Sequence, residues 1–242
     1  INLKHLKCFT AFTMSSTQTK DIETAFYENA EKYWNDVTPT VNGMLGGFES
    51  VSDADIKLST KLIMNLMSEG FLTKSVNRAL DCGAGIGRVT KHLLIPIYSN
   101  VDMVEVTKHF LDESYKYIGE TNATINRLCC PLQNFTPNEK AYDLIWCQWV
   151  TGHLTDNALV EFLKRCVTGL HSKTSLIIIK ENTVNSNEPD FDSDDSSYTR
   201  PIALLKSLFL QADLELIKEE KQTEFPRELY PVWMFVLRPI SH

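Results

Sequence analysis

Apolar residues form two different patterns along this chain, and segments with one pattern alternate with segments of the other. Segments with apolar residues three or four positions apart predict helices, and short, nearly continuous apolar runs predict buried strands. Residues 38–48 and the aperiodic segment 182–198 are predicted to be loops. The predicted helices span 22–34, 52–70, 86–95, 107–119, 155–170 and 201–212. The predicted strands span 77–82, 101–106, 123–129, 141–148, 175–180, 214–221 and 232–237.

This order of elements predicts an α/β fold. Strands that alternate with helices form a parallel sheet with helices on both faces. The last two strands have no helix between them, which predicts a hairpin-like end in which the last strand is antiparallel. We therefore expect a Rossmann-like sheet of seven strands in one domain, 21–242, with an N-terminal two-helix cap at 21–70 and a core at 76–240.

The first 20 residues differ in composition from the rest of the chain. They contain no acidic residue and carry Lys4, Lys7 and Lys20 among several serines and threonines. This composition has a faint similarity to an organelle presequence. The preferred interpretation is a flexible extension, 1–20, that has no role in the fold and lies partly upstream of a translation start at Met14.

The most informative segment for chemistry follows the first predicted strand. Asp81 ends that strand, and glycines stand at positions 83, 85 and 87. Glycine permits positive φ and lets backbone amides approach a ligand at the start of the next helix. The spacing differs from the G-x-G-x-x-G of dinucleotide-binding folds. With a second acid, Glu105, at the end of the next strand, it favours S-adenosylmethionine over NAD, because one acid can bind the amino-acid end and the other the ribose.

Composition excludes several other classes of protein. The chain has 242 residues and 43% hydrophobic content, enough for one sizeable domain. A net charge of −7 and a pI of about 5.4 argue against general nucleic-acid binding. No apolar run approaches the roughly 18 residues that span a bilayer, so we expect no membrane partner. The cysteines form no C-x-x-C pair and no His–Cys cluster has ligand spacing, which predicts reduced thiols and no metal site.

Several short motifs follow one another along the chain. They are Tyr33-Trp34, Gly-Met-Leu-Gly-Gly at 43–47, the glycine segment 80–88, Gln-Trp-Val at 148–150, Gly-His-Leu-Thr-Asp at 152–156, Lys180 with Asn182, and Asp-Ser-Ser at 195–197. In this combination the chain resembles the eukaryotic protein N-terminal methyltransferases, from about residue 22 to 238. These class I enzymes methylate the α-amine of X-Pro-Lys/Arg termini with S-adenosylmethionine as cofactor.

The resemblance implies a set of cofactor-binding residues. Arg88 would pair with the carboxylate of the methionine moiety, and Glu105 would accept the ribose hydroxyls in place of the aspartate that the family often has. The full set comprises Gly83, Arg88 and Gln148 at the methionine end, Glu105 at the ribose, and Leu132 and Gln133 at the adenine.

The resemblance also places His153 and Asp195 beside the amine that is methylated. An α-amine has a pKa near ~8, so much of it is protonated at neutral pH and has no lone pair to react. A histidine can accept this proton. Asp195 could be the base itself or could hold the amine in line with the sulfur, and the sequence leaves both divisions of labour open.

The remaining residues implied by the resemblance would bind the substrate peptide. Trp149 offers a flat face to the proline at position two, and Asn182 can donate to the first peptide carbonyl. The acidic segment 188–195 suits a Lys or Arg at position three, where Asp192 and Asp195 match family positions. The complete substrate-binding set is Trp34, Leu45, Trp149, Asn182, Asp192, Ser197 and Tyr230.

Two other functions use the same residues. A small-molecule N-methyltransferase would keep the cofactor site without selecting a basic peptide. A non-catalytic scaffold would bind S-adenosylmethionine and dock basic tails without forming product. The family resemblance also implies a location in the nucleus and cytoplasm, although no basic targeting signal is present.

Overall fold

The computed structural model describes residues 16–240. Its first helix begins at Ser16, earlier than the predicted start at residue 22, and the rest of the predicted N-terminal extension, 1–15, lies outside the described residues. The predicted loop 38–48 contains a short helix, because the Thr40 side chain accepts from the backbone of Gly43 and caps it. The helices are α1 Ser16–Asp36, α2 Val41–Met44, α3 Ser52–Ser68, α4 Lys108–Ile118, α5 Asp156–Gly169 and α6 Ile202–Gln211.

All seven predicted strands form and pair in one sheet. They are β1 Arg78–Cys82, β2 Asn100–Glu105, β3 Thr124–Cys129, β4 Leu144–Gln148, β5 Leu176–Val184, β8 Leu214–Lys221 and β9 Val232–Pro239. In spatial order they run β3, β2, β1, β4, β5, β9 and β8, with β9 antiparallel to both neighbours and the rest parallel. This confirms the α/β class and the antiparallel last strand.

The predicted loop 182–198 is wrong in part, because it contains a hairpin. Strand β5 continues to Val184, and β6 Asp190–Asp192 pairs with β7 Ser197–Pro201. The hairpin is joined to the sheet because β7 pairs with the end of β5. Its residues are mostly polar, so the segment lacks the apolar alternation that predicts a strand. The cross-strand pair Phe191 and Tyr198, with ring centroids 4.9 Å apart, stabilises it.

The helix predicted at 86–95 contains an unusual turn. Residues Thr90–Leu94 form a π-helix. The hydroxyl of Thr90 donates to the Asp81 carboxylate at 2.6 Å, which holds this turn against the end of β1. Turns of π-helix are frequent at functional sites.

Apolar side chains cover both faces of the sheet. Phe162 of α5 and Phe209 of α6 pack on one face, while Leu62 and Leu66 of α3 pack on the other, and all four are buried. The predicted helical layers on both faces are confirmed. No helix in 16–240 is long and apolar enough to cross a membrane. Cys82, the last residue of β1, pairs with Val104, and Gln148, the last residue of β4, pairs with Lys180. The residues that follow β1, β2 and β4 therefore share one edge of the sheet.

Candidate active site

A cleft opens at this edge of the sheet. It encloses about 1160 Å³ of empty space, part of it open to solvent. Helix α1, the loop around α2 and the ends of β1, β2 and β4 supply its walls. Most of the predicted site residues line it, namely Trp34, Leu45, Gly83, Arg88, Glu105, Leu132, Gln133, Gln148, Trp149 and His153.

The glycine turn forms the floor of the cleft and leaves no room for side chains. Gly83 has φ +71°, and a Cβ there would lie 2.6 Å from Cβ of Val150. Gly85 has φ +55°, and a Cβ there would lie 2.6 Å from the sulfur of Met44. The backbone at both positions therefore requires glycine and comes close to any molecule in the cleft.

Glu105 braces this turn. Its Oε2 accepts from the backbone N–H of Gly85 at 2.9 Å, and its Oε1 accepts from the backbone N–H of Thr107 at 2.9 Å. Burial raises the pKa of Glu105, and these two amides oppose the rise. The carboxylate lies in the wall of the cleft, where its remaining lone pairs can accept from hydroxyl groups.

Arg165 fixes the wall predicted to contact adenine. Its guanidinium donates to the carbonyl oxygens of Leu132 and Gln133, both at 3.0 Å, and to that of Phe135 at 2.7 Å. These bonds join the segment after β3 to α5. Leu132 is buried and presents an apolar side chain to the cleft.

A buried charge cluster lies at the opposite end of the cleft. Asp55, on α3, pairs with Nη1 of Arg88 at 2.8 Å and with Nζ of Lys180. It also accepts from Nε2 of Gln148 at 2.9 Å. Burial raises the pKa of Asp55, but Lys180 and Arg88 hold it below its usual value. Two predicted cofactor residues, Arg88 and Gln148, are thus held by one carboxylate.

Trp149 follows β4 with a strained backbone. Its φ is +51°, a left-handed conformation that is rare for an aromatic residue. The backbone N–H donates to the carbonyl of Lys180 at 3.0 Å, which helps to hold this conformation. The guanidinium of Arg88 lies 5.6 Å from the indole ring centre. The indole Nε1 is buried and has no hydrogen-bond partner among the described residues.

His153 stands at the end of a 3-10 turn, Thr151–His153, after β4. Its Nε2 lies 2.9 Å from the indole nitrogen of Trp34, and its Nδ1 lies 3.4 Å from the carbonyl oxygen of Ser196. Burial lowers the pKa of His153, and the nearby carboxylate of Asp195 opposes this effect. The histidine is therefore held neutral between α1 and the hairpin.

Two buried residues that sequence reasoning missed hold this 3-10 turn. Glu181 accepts from the backbone N–H and the hydroxyl of Thr151, at 3.0 and 2.7 Å. Arg200 donates to the carbonyl of Thr151 at 2.9 Å and to that of Leu154 at 2.5 Å. Both charged residues are nearly fully buried, which predicts that their bonds fix the position of His153.

The β6–β7 hairpin carries acids beside His153. Oδ1 of Asp195 is buried and has no partner among the described residues. Burial raises the pKa of Tyr33 on α1, and the negative charges of Asp195, Asp192 and Asp194 add to this rise. The acids of the hairpin therefore act electrostatically on α1.

The predicted residues outside the cleft wall belong to this hairpin and to its neighbours. Ser197 packs against Gly152 of the 3-10 turn, where a Cβ would lie 3.5 Å from it. Asn182 follows Glu181 on β5 and pairs in register with Val232. Tyr230 is half exposed, and its hydroxyl donates to Asp190 rather than toward the cleft. Their roles in binding a peptide stay predictions.

Sequence reasoning also missed Asp55 and Lys180 as parts of the site. Asp55 lies in the first turn of α3, where acids are common because they favour the helix dipole. Because the helix dipole already explains an acid at this position, nothing in the sequence indicated that Asp55 is buried. Lys180 gave a clearer signal, because a lysine directly after the apolar run Leu176–Ile179 must find a partner if the strand is buried.

The residues present fit S-adenosylmethionine. Within the described residues, Nε and Nη2 of Arg88 have no partner, so the guanidinium can bind a carboxylate in the cleft. Glu105 can accept from ribose hydroxyls, and Leu132 offers an apolar surface to adenine. The glycine backbone between them admits close contact. This donor and acceptor set matches the two polar ends of the cofactor.

Comparison with known proteins gives the same result. The family model of the AdoMet-dependent proline di-methyltransferases matches residues 22–238. The chain is 48% identical, over 217 residues, to N-terminal Xaa-Pro-Lys N-methyltransferase 1 of Danio rerio, with 89% of this chain and 96% of the relative covered. It is 44% identical, over 228 residues, to alpha N-terminal protein methyltransferase 1 of Caenorhabditis elegans, with 93% and 97% covered.

Solved structures agree at the level of the fold. A SAM-dependent methyltransferase of Leishmania major has a TM-score of 0.80 and 36% identity, with 88% of this chain and 83% of that chain covered. A phosphoethanolamine N-methyltransferase of Haemonchus contortus, solved with S-adenosylhomocysteine, has a TM-score of 0.66 at 18% identity, with 93% and 50% covered, and shows the fold alone. The matched span and the identities confirm the resemblance: this chain belongs to the AdoMet-dependent proline di-methyltransferase family.

Proposed function

We propose that this enzyme methylates the free α-amine of proteins that begin X-Pro-Lys or X-Pro-Arg. The observation that carries the proposal is Oδ1 of Asp195, which is buried and has no partner among the described residues. Asp195 precedes Ser196, whose carbonyl lies 3.4 Å from His153 in the cleft wall. An unpartnered buried carboxylate oxygen is unfavourable unless a ligand donates to it, and an ammonium group is a strong donor. The names of the relatives support the same substrate.

We assign the first proton transfer to Asp195. Because the Trp34 indole can only donate, Nε2 of His153 accepts that bond and its lone pair is occupied. Oδ1 of Asp195 has no such donor and can accept a hydrogen bond, and then a proton, from the α-ammonium. Neutral His153 adds no positive charge beside it, and its Nδ1–H is directed toward the carbonyl of Ser196, next to Asp195.

When bound, S-adenosylmethionine supplies a methyl group on a positively charged sulfur. Arg88, Gln148 and Glu105 would hold this donor, which would give its methyl group to the neutral amine while the departing sulfur kept the electron pair of the S–C bond. The proton of the α-ammonium leaves to Asp195 before the transfer. The residues of the chain orient the amine, hold its proton and exclude water; Trp149 and Leu45 provide apolar surface in the cleft wall for this exclusion.

The acidic hairpin supports selection of a basic residue at position three. Asp192 is exposed in β6, and Asp194 and Asp195 follow it in the turn. A charge pair at ~4 Å contributes about 1 kcal/mol in water and about 4 kcal/mol at an intermediate dielectric of ~20. The partly enclosed hairpin lies between these limits, so several carboxylates together can select Lys or Arg over a neutral residue.

Intact mass spectrometry tests the proposal. The purified enzyme is incubated with S-adenosylmethionine and a Ser-Pro-Lys peptide, its N-acetylated copy, or a Ser-Pro-Gln peptide. We expect methyl additions on the free-amine Lys peptide, none on the acetylated copy, and slower addition on the Gln peptide. Methylation of small amines instead would favour a small-molecule enzyme, and peptide binding without product would favour the scaffold. Both results contradict the proposal.

Variants of Asp195 and His153 test the division of roles. Asp195→Asn removes the proton acceptor with little change in shape, so turnover should fall by about a hundredfold or more, the contribution expected of a general base. His153→Gln keeps an acceptor for Trp34 and should lower turnover less. Cofactor affinity should stay within about twofold in both, because neither residue lies at the methionine, ribose or adenine ends. Full turnover in Asp195→Asn would refute the assignment.

We also propose a location in the nucleus and cytoplasm, as the family resemblance implies. Imaging of a tagged protein tests it.

A further inference from the structure

Asp55 is a fully buried carboxylate with an unusual number of partners. It lies in the fourth position of α3, and its exposed fraction is 0%. Both oxygens accept from Nε2 of Gln148, while Oδ1 also pairs with Nζ of Lys180 and Oδ2 with Nη1 of Arg88. The residue brings one helix of the N-terminal cap into contact with the end of β4, with the middle of β5 and with the helical segment after the glycine turn.

Lys180 completes the support of this carboxylate from below. Its Nζ donates to the hydroxyl of Ser59 at 2.9 Å, to Oε1 of Gln222 at 2.7 Å and to the backbone carbonyl of Asp55 at 3.2 Å. Burial lowers the pKa of Lys180, and the Asp55 carboxylate opposes the effect. Protein acceptors therefore use all the N–H donors of the ammonium group, and no donor is left for a ligand. The role of Lys180 is to hold Asp55.

Arg88 is held from one side only. Nη1 faces Asp55 and the hydroxyl of Ser52, at 2.8 and 3.3 Å. Nε and Nη2 have no partner in the part of the chain that the structure describes, and Arg88 lines the cleft. The one-sided contact orients the planar guanidinium and leaves part of its donor set for a planar anion.

We infer that Asp55 is a positioning residue that orients Arg88 and Gln148 toward the amino-acid end of the cofactor. The inference rests on the proposed contact between Arg88 and the cofactor carboxylate. It gives the N-terminal cap a role, through Arg88 and Gln148, in recognising the amino-acid end of the cofactor. Glu105, Leu132 and Gln133 are the residues proposed to contact the ribose and the adenine.

Two ligands separate positioning from general structural support. S-adenosylhomocysteine carries the amino-acid group, and 5′-methylthioadenosine lacks it. Isothermal titration of both against the free protein gives a ratio of affinities for each variant, without any measurement of turnover. Asp55→Asn should weaken S-adenosylhomocysteine about tenfold or more, as expected when a charged group loses its orientation, and should leave 5′-methylthioadenosine within about twofold.

Asp102 provides a matched control. It is also a buried carboxylate in the sheet, at 1% exposure, and it accepts from Tyr142, Arg78 and Asn126. It does not line the cleft. Asp102→Asn should destabilise the fold through the same kind of loss and should leave the ratio of the two affinities unchanged. If Asp55→Asn weakens both ligands equally, Asp55 only supports the fold and the inference is wrong.

Further variants keep the outcomes distinct. In Arg88→Met the preference for S-adenosylhomocysteine should fall; if it does not, the proposed contact of Arg88 fails. If it falls in Arg88→Met but not in Asp55→Asn, only the inference about Asp55 fails. Should Asp55→Asn not fold, the double variant Asp55→Asn with Lys180→Met removes one charge of each sign and keeps the volume, and the same loss of preference is expected from it.

Discussion

A single hydrogen bond fixes the protonation state of His153. The indole N–H of Trp34 can only donate, so Nε2 of His153 carries no proton. The proton of the neutral ring is therefore on Nδ1, which faces the carbonyl of Ser196. A second proton on Nε2 would face the indole N–H, so protonation breaks this bond in addition to overcoming burial, which is the main reason for the lowered pKa.

Loss of the bond between Trp34 and His153 should change the pKa of His153. Trp34→Phe removes the donor to Nε2 and keeps an aromatic ring, so the neutral form of His153 loses a stabilising partner and its pKa should rise. The imidazolium then persists to higher pH, and the acidic limb of the pH–rate profile should shift to higher pH. Titration by NMR measures the shift directly, with His92, which bonds Tyr117 outside the cleft, as the internal reference. An unchanged pKa of His153 would contradict this account.

The second prediction concerns Asp81. Burial raises its pKa to about 6, against the bond from Thr90. The folded state therefore binds this proton more tightly than the unfolded state, so the contribution to stability is present below the unfolded pKa of ~3.9 and is lost as pH rises through about 6. Asp81→Asn should be more stable than the wild type at neutral pH without ligand. In urea unfolding, the difference in free energy of unfolding between Asp81→Asn and the wild type should grow between those two pH values and stay constant above them. A difference that does not depend on pH would contradict the raised pKa of Asp81.

At the scale of elements, α1 and the β6–β7 hairpin are in contact beside the proposed peptide site. Phe26 on α1 stacks on Tyr198 with ring centroids 5.6 Å apart, and its ring lies 6.4 Å from that of Phe191. Phe191 and Tyr198 are themselves cross-strand neighbours. The aromatic contact therefore fixes the distance between the helix that carries Trp34 and the hairpin that carries Asp195.

Loss of this contact should separate stability from substrate binding. Phe26→Ala removes a nearly buried ring and should lower the free energy of unfolding by about 3 kcal/mol. It should also raise the KM for the peptide while the affinity for S-adenosylhomocysteine changes little. Phe162→Ala, in the core on α5, is the matched control: we expect a comparable loss of stability with an unchanged peptide KM. Equal effects of both variants on KM would exclude a specific role for Phe26.

The helices and strands differ in how far the sequence alone predicts them. Apolar periodicity predicted helices α1, α3, α4, α5 and α6 and all seven core strands, because most of these elements bury an apolar face. It did not predict the short helix α2, which lies in the predicted loop 38–48. The hairpin escaped prediction because its pairing depends on contact with α1 and with the end of β5. The same limit applies to the site. Trp34 and His153 were each predicted, but their bond joins residues far apart in the chain, and no local pattern reports it.

At the scale of the whole molecule, charge favours the proposed substrate. The net charge is −7, and the hairpin carries the exposed carboxylates of Asp190, Asp192 and Asp194, which make the field around it negative. Such a field attracts a basic peptide and repels an acidic one, and the attraction acts over roughly a Debye length, ~10 Å at 0.1 M salt.

Salt should therefore weaken peptide binding selectively. Between roughly 0.05 and 0.5 M NaCl, the KM for a Ser-Pro-Lys peptide should rise about two- to fivefold, because exposed charge pairs are screened. Asp192→Asn should reduce this dependence, and a Ser-Pro-Gln peptide should show less of it. Steady-state kinetics at several salt concentrations checks the prediction. Equal salt dependence of the KM for both peptides would show that the hairpin does not recognise the residue at position three of the peptide.

The cleft takes its walls from parts of the chain that are distant in sequence. Asp55 contacts Lys180, and Gln222 donates to the backbone of Ala54, so the N-terminal cap is held by residues near the other end of the chain. A ligand that contacts both parts stabilises the whole folded state, by about 2.7 kcal/mol at a concentration of 100 times Kd. In a cell, the steady-state amount of this enzyme should therefore follow the concentration of methyl donor. When the donor is scarce, more of the protein is without ligand and is degraded sooner.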